Sequence, residues 1–215
     1  MTERLGRLFD EQLTTWISSA CKEWDCATPV EPVVTLVKQR IPSGIRSMIG
    51  LGIERGIVLP DGHMFRLKGL PDGKGPYRWF SRFKHGPNPN WEYYVHVAEY
   101  VRLFLQTENC DFKLVFEDDR MDIGVYQDDE LFVCCEVKET SRQAARLVSG
   151  IRRYQPRVPL TDPARGNDPL RKAKYLRKNR PRYFYVVAIG ARHEFSVVLT
   201  DFGFELHEDL IPSPL

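Results

Sequence analysis

Two apolar segments joined through an acidic turn constrain this chain most. Met121-Asp122-Ile123-Gly124-Val125-Tyr126 and Leu131-Phe132-Val133-Cys134-Cys135-Glu136-Val137-Lys138 both show the period-two alternation of a β-strand. In the first, Met121, Ile123 and Val125 share a face, and Asp122 lies opposite with Gly124. In the second, Leu131, Val133, Cys135 and Val137 share a face, while Glu136 and Lys138 share the other. Asp128-Asp129 suits a tight turn, so the segments are expected to pair as a hairpin that brings Asp122 beside Glu136. Two carboxylates and one ammonium in a small cluster suit both a hard divalent cation and a phosphate under attack.

The surrounding pattern predicts a helix over 91–106, strands over 112–117, 121–127 and 131–138, helices over 142–154 and 168–178, and strands over 183–189 and 195–199. Helix, three strands, helix, strand, with an acid in the second strand and Glu-x-Lys ending the third, resembles the PD-(D/E)XK nuclease superfamily. The resemblance covers residues 91 to 200. It implies an α/β fold with a restriction-endonuclease-like core, αβββαβ, whose mixed central sheet is flanked by helices. It also implies that Asp122 and Glu136 hold a Mg²⁺, for which Mn²⁺ is expected to substitute, and that Lys138 contacts the scissile phosphate and the attacking water. Many members add a glutamate from the preceding helix. Glu99 is the better match here, and Glu92, one heptad earlier on the same helix face as His96, is the alternative; both also suit the wet side of a helix. The helix after Glu-x-Lys commonly supplies a Gln, Arg or Lys, a position filled by Gln143 with Arg142 and Arg146. The residue before the acid is Met121 where the family's name has proline, a position that varies.

Residues 1–68 read as three helices, roughly 4–23, 31–40 and 43–55, followed by a short hairpin, 57–59 and 64–67. Pro29 and Pro32 suit the start of the second helix, Ser43 is placed to cap the third, and Gly56 to end it. That order looks like a winged helix-turn-helix, with Ser43, Arg46 and Ser47 on the recognition helix and His63, Arg66 or Lys68 on the wing. Such units also serve dimerisation or docking, and both readings stay open. Residues 69–90 are dense in Gly and Pro and are expected to connect this domain to a nuclease domain over 91–215. Tyr77, Trp79, Phe80 and Phe83 are expected to pack that connection onto a neighbour.

The net charge of +2 hides an uneven distribution. From Glu139 to Arg182 there are thirteen Lys or Arg against three acids, so that segment carries +10 and the remainder −8. Such a segment suits a polyanion, with Arg171, Lys172 and Lys174 as phosphate contacts on the last helix beside Arg142 and Arg146. A solvated helix face is the simpler alternative.

No run approaches 18 apolar residues, and the first residues lack the apolar core of a signal peptide, so a cytoplasmic protein with no membrane partner is expected. The five cysteines include no CxxC pair and are expected to be reduced thiols, with Cys134 and Cys135 packing as small hydrophobes. There is no P-loop and no GxGxxG after a strand, so no nucleotide cofactor is expected. The expected function is a Mg²⁺-dependent DNA endonuclease of the restriction or mobile-element defence type, with DNA as partner and a homodimer left open. The alternatives are a junction-resolvase-like nuclease of recombination or repair, and a DNA-binding regulator that has lost catalysis.

Overall fold

Apolar side chains at helical spacing build the first part of the chain, and alternating ones build the second. The structure, a computed structural model, describes residues 2–26, 29–71, 73–84, 86–159 and 169–208. It divides into two compact units, Met1–Leu105 and Gln106–Leu215. Both are mixtures of helix and strand. Among the described residues no helix is long and apolar enough to cross a membrane.

The first unit starts with three helices: α1 (Thr2–Trp24), α2 (Val30–Arg40) and α3 (Ser43–Glu54). Leu5, Phe9, Leu13, Trp16, Ile17 and Ala20 form the buried stripe of α1. The helix ends where Asp25 turns left-handed (φ 50°) and Cys26 N–H donates to Cys21 O at 3.0 Å. Pro42, not Ser43, occupies the N-cap of α3, because Ser43 already has helical geometry and makes no side-chain cap. Gly50 lets α3 press onto α1: a Cβ there would stand 2.1 Å from Leu5 O. The opposite side of α3 is closed at Gly52, whose added Cβ would meet Val58 and Val101.

Next come β1 (Val58–Asp61), β2 (Met64–Leu67), β3 (Tyr77–Arg78), β4 (Phe80–Phe83), β5 (Gly86–Pro89) and α4 (Trp91–Thr107). β1, β2 and β3 form one small antiparallel sheet, and β4 and β5 form a separate hairpin. Within the stretch over 69–90, Tyr77, Trp79 and Phe80 are buried in this unit, whereas Phe83, expected to pack with them, is exposed. Trp79 is fully buried and stacks on Trp16 of α1 at 4.6 Å and on Tyr94 of α4 at 5.2 Å. These stacks hold α4 in the first unit, so the division falls after Leu105 and not within 69–90.

The second unit is a six-stranded mixed sheet in the order β11-β10-β9-β8-β7-β6, built from β6 (Phe112–Asp118), β7 (Met121–Gln127), β8 (Glu130–Thr140), β9 (Tyr183–Ile189), β10 (Ala191–Leu199) and β11 (Phe204–His207). Asp128 and Asp129 both adopt left-handed geometry (φ 49° and 62°), making the two-residue turn that joins β7 to β8. β8 and β9 run parallel, and the other pairs are antiparallel. Two helices carry the parallel crossover, α5 (Ser141–Arg152) and α6 (Pro169–Asn179). Asp168, the expected first residue of α6, and Arg165 of the basic run lie outside the described residues.

A single apolar cluster fills the space between these helices and the sheet. It joins Cys134, Phe184, Val186 and Ala188 to Ala144, Leu147 and Ile151 of α5 and to Leu170, Ala173 and Leu176 of α6. Glu136 pairs with Val186 in the ladder, so its face is the helix-covered one. β8 is buried on both faces over much of its length, as strands of a parallel pair usually are.

Candidate active site

The site lies where β7 and β8 part. Their ladder ends at Ile123 opposite Cys135, and continuing its register sets Asp122 across from Glu136. Beyond that point the main-chain donor of β8 finds a side chain: Val137 N–H donates to Asp122 Oδ2 at 2.5 Å. Asp122 is half-buried and Glu136 is 1% exposed.

Two ammonium groups meet on Glu136. Lys138 Nζ donates to Oε1 at 2.8 Å and to Val137 O at 2.6 Å. Lys172 Nζ donates to Oε2 at 2.5 Å and also to Arg120 O in the turn between β6 and β7. Burial pushes the Glu136 carboxyl above its usual range, and the Asp122 charge adds to that push, while Lys172 and Lys138 oppose it. Asp122, Glu136 and Lys138 are therefore brought together within one unit, with Lys172 as a fourth member.

Beside this group lies a second polar cluster. Asp118 Oδ2 accepts from Tyr126 OH at 2.6 Å and from Tyr175 OH of α6 at 3.2 Å. Gly124 makes the room, since a Cβ there would stand 2.3 Å from Asp118 Oδ2. The Tyr126 and Tyr175 hydroxyls are pushed upward in pKa by burial first and by their interaction with Asp118 second.

The packing engages several of the expected positions in contacts of their own. Lys172, expected to be a phosphate contact, is 5% exposed and spent on Glu136. Gln143 commits its side-chain oxygen to the start of α5: Oε1 accepts from Thr140 N at 2.9 Å, and Thr140 Oγ1 accepts from Gln143 N, a capping box. Arg46 does not present its guanidinium for base reading, because Nη1 is bound to Asp10 of α1 at 2.9 Å in a half-buried pair. Ser47 is buried and donates to Thr2 O, and His63 is 1% exposed with Nδ1 3.4 Å from Glu23. Glu99 belongs to the first unit, where it is buried against Arg102 at 3.3 Å, and Glu92 on the same helix is exposed. Arg142 and Arg146 do lie on the exposed side of α5, and Ser43 is exposed; Arg171 and Lys174 are half-buried on α6.

The fourth member has a sequence signal of its own. Lys172 precedes Leu176 by four residues and Tyr175 by three, which places it on the apolar face of α6 and not the wet one. The Asp118 cluster has a weaker signal, the glycine at 124 within an otherwise bulky strand.

Two carboxylates from neighbouring strands offer the hard oxygen donors that Mg²⁺ takes, with phosphate and water completing its shell. The chemistry of the donor set therefore fits such an ion, which would have to share Glu136 with the two ammoniums already on it. Among the described residues no group of three or more His, Cys, Asp or Glu side chains is placed to hold a metal. Compared with protein-family models, with curated proteins and with solved structures, the chain matches none.

Proposed function

We propose that the second unit is a Mg²⁺-dependent nuclease core of the PD-(D/E)XK type, cleaving phosphodiester bonds in DNA. The observation that carries this reading is the convergence of Asp122, Glu136 and Lys138 where the ladder between β7 and β8 ends. Support comes from the order β6, β7, β8, α5–α6, β9, with β8 and β9 parallel, which is the order that follows the first helix of the superfamily core.

Asp122 and Glu136 would hold the ion. When bound, it would supply positive charge against the scissile phosphate and make a water acidic enough to attack near neutral pH. Asp122 keeps one oxygen on Val137 N–H, which fixes the orientation of the carboxylate. Lys138, 12% exposed at its side chain, is the more accessible donor of the group and is placed to neutralise charge growing on the phosphate. Arg142 and Arg146 on exposed α5 would grip the flanking backbone. The first unit would act as a docking module, since α3 is clasped on two sides and exposes only residues near its ends.

One observation favours a second reading, a DNA-binding regulator without catalysis: both Glu136 oxygens are already neutralised by lysines. Incubation with supercoiled plasmid, linear duplex, single strands and a four-way junction, with Mg²⁺ or with EDTA, separates the readings. Mg²⁺-dependent cutting of duplex supports the restriction or defence role, and preference for the junction supports a recombination or repair role. Binding without cutting in every arm supports the regulator.

A further inference from the structure

The two lysines on Glu136 are not equivalent. Lys138 comes from the same strand, two residues on, and its side chain is 12% exposed. Its second acceptor is the carbonyl next to it in the chain, Val137 O. Lys172 arrives from α6, is 5% exposed, and divides its protons between Glu136 Oε2 and Arg120 O. It thereby ties three elements together: the helix α6, strand β8 at Glu136 and the β6–β7 turn just before Asp122. The acceptor on the turn is a main-chain oxygen, which holds the ammonium wherever the turn is held.

We propose that Lys172 is a positioning residue that clamps Glu136 Oε2 and leaves Oε1 as the oxygen offered to a divalent cation, with Lys138 as the ammonium that gives way. This rests on the nuclease reading above and adds to it a division of labour between two lysines that share one carboxylate. The physical reason is geometric. A glutamate has three rotatable side-chain bonds, and a carboxylate anchored at one oxygen by a buried donor loses most of that freedom before any ligand arrives. Groups that orient a ligand from behind typically change metal affinity by about 10–100-fold when removed. An ammonium that competes for the same oxygen has the opposite effect, because its removal spares the cation a displacement.

Mn²⁺ binding to the full chain without DNA, followed by electron paramagnetic resonance, reads this directly. Lys172→Met is expected to weaken Mn²⁺ binding at least about tenfold, whereas Lys138→Met is expected to bind Mn²⁺ no more weakly than wild type. Equal affinity in wild type and Lys172→Met would overturn the assignment, as would equal losses in both variants. Lys172→Met leaves a buried carboxylate oxygen without its ammonium and is the variant more prone to misfold, so the wild-type chain supplies an independent readout. Reductive methylation with formaldehyde and a borane, located by mass spectrometry, should leave Lys172 unmodified with and without Mn²⁺ and should modify Lys138 more when Mn²⁺ is added. Labelling of Lys172 that rises on adding Mn²⁺ would overturn the clamp. A wild-type chain that takes up no Mn²⁺ removes the nuclease reading and this inference together, while uptake indifferent to Lys172 removes this inference alone.

Discussion

Asp122 and Val137 are joined across the point where two strands separate: the Val137 N–H, which would otherwise lack a ladder partner, donates to Asp122 Oδ2 at 2.5 Å. The carboxylate therefore serves the fold as well as the candidate chemistry. Asp122→Ala removes the acceptor and should lower stability by about 1–3 kcal/mol, the usual cost of a stranded donor. Asp122→Asn keeps an oxygen in place and should lose clearly less. Urea denaturation of both variants checks the ordering, and equal losses would mean that an acceptor oxygen at this position is not what stabilises the fold.

Strand phase alone would set Glu136 in an open site, where substitution leaves the fold largely intact. Its burial under α5 and α6 changes that expectation. Removing one partner from a buried ion pair costs about 3–5 kcal/mol, because the other charge is left behind. Glu136→Gln and Lys172→Met should each destabilise by about that much, while the double variant should fall short of the sum by about 1–3 kcal/mol. Additive losses in chemical denaturation would show that the pair is not coupled.

The exposed face of α5 should carry the phosphate contacts. Arg142, Arg146 and Arg153 are all exposed, whereas Arg177 of α6 is occupied by Val158 O and Asp201 O and Lys172 is buried. Replacing these three arginines with Gln should weaken binding to all duplex sequences alike. The plot of log K against log salt should flatten by up to ~0.9 for each phosphate that is no longer neutralised. Binding titrations at several salt concentrations give the slope. An unchanged slope would place the DNA elsewhere.

His63 should make the stability of the first unit depend on pH. Burial holds its pKa below the ordinary value, and the nearby Glu23 only partly offsets this. The imidazole binds a proton less readily in the folded chain than in the unfolded one. Its contribution is therefore complete above about pH 6.5, the unfolded value, and is lost as the pH falls below it. Denaturation midpoints between pH 7.5 and pH 5 should drop less steeply in His63→Gln than in wild type. Parallel curves would assign the acid sensitivity to other groups.

What is legible in the sequence follows from how local the signal is. β7, its two-residue acidic turn and β8 are readable because alternation and turn chemistry act over a few residues, and Asp122 opposite Glu136 follows from that phase. The membership of α4 is not readable, since it depends on Trp79 reaching Trp16 and Tyr94 from within a stretch dense in Gly and Pro. Arg46 and Asp10 are 36 residues apart, and no local pattern foretells their pairing. Lys172 is misplaced by a sequence reading for a different reason: summing charges along a segment ignores which face of the helix each one occupies. The short strand β11 escapes because four residues, Phe204 to His207, carry too little periodicity to stand out.

Cleavage of supercoiled plasmid by the full chain, followed on agarose with Mg²⁺, tests the central claim most directly when wild type is run beside Asp122→Asn. Nicked and linear products that need Mg²⁺, vanish with EDTA and are absent with a folded Asp122→Asn variant are the predicted result. Cutting by the variant at the wild-type rate, or no cutting by the wild type with either Mg²⁺ or Mn²⁺, would contradict it.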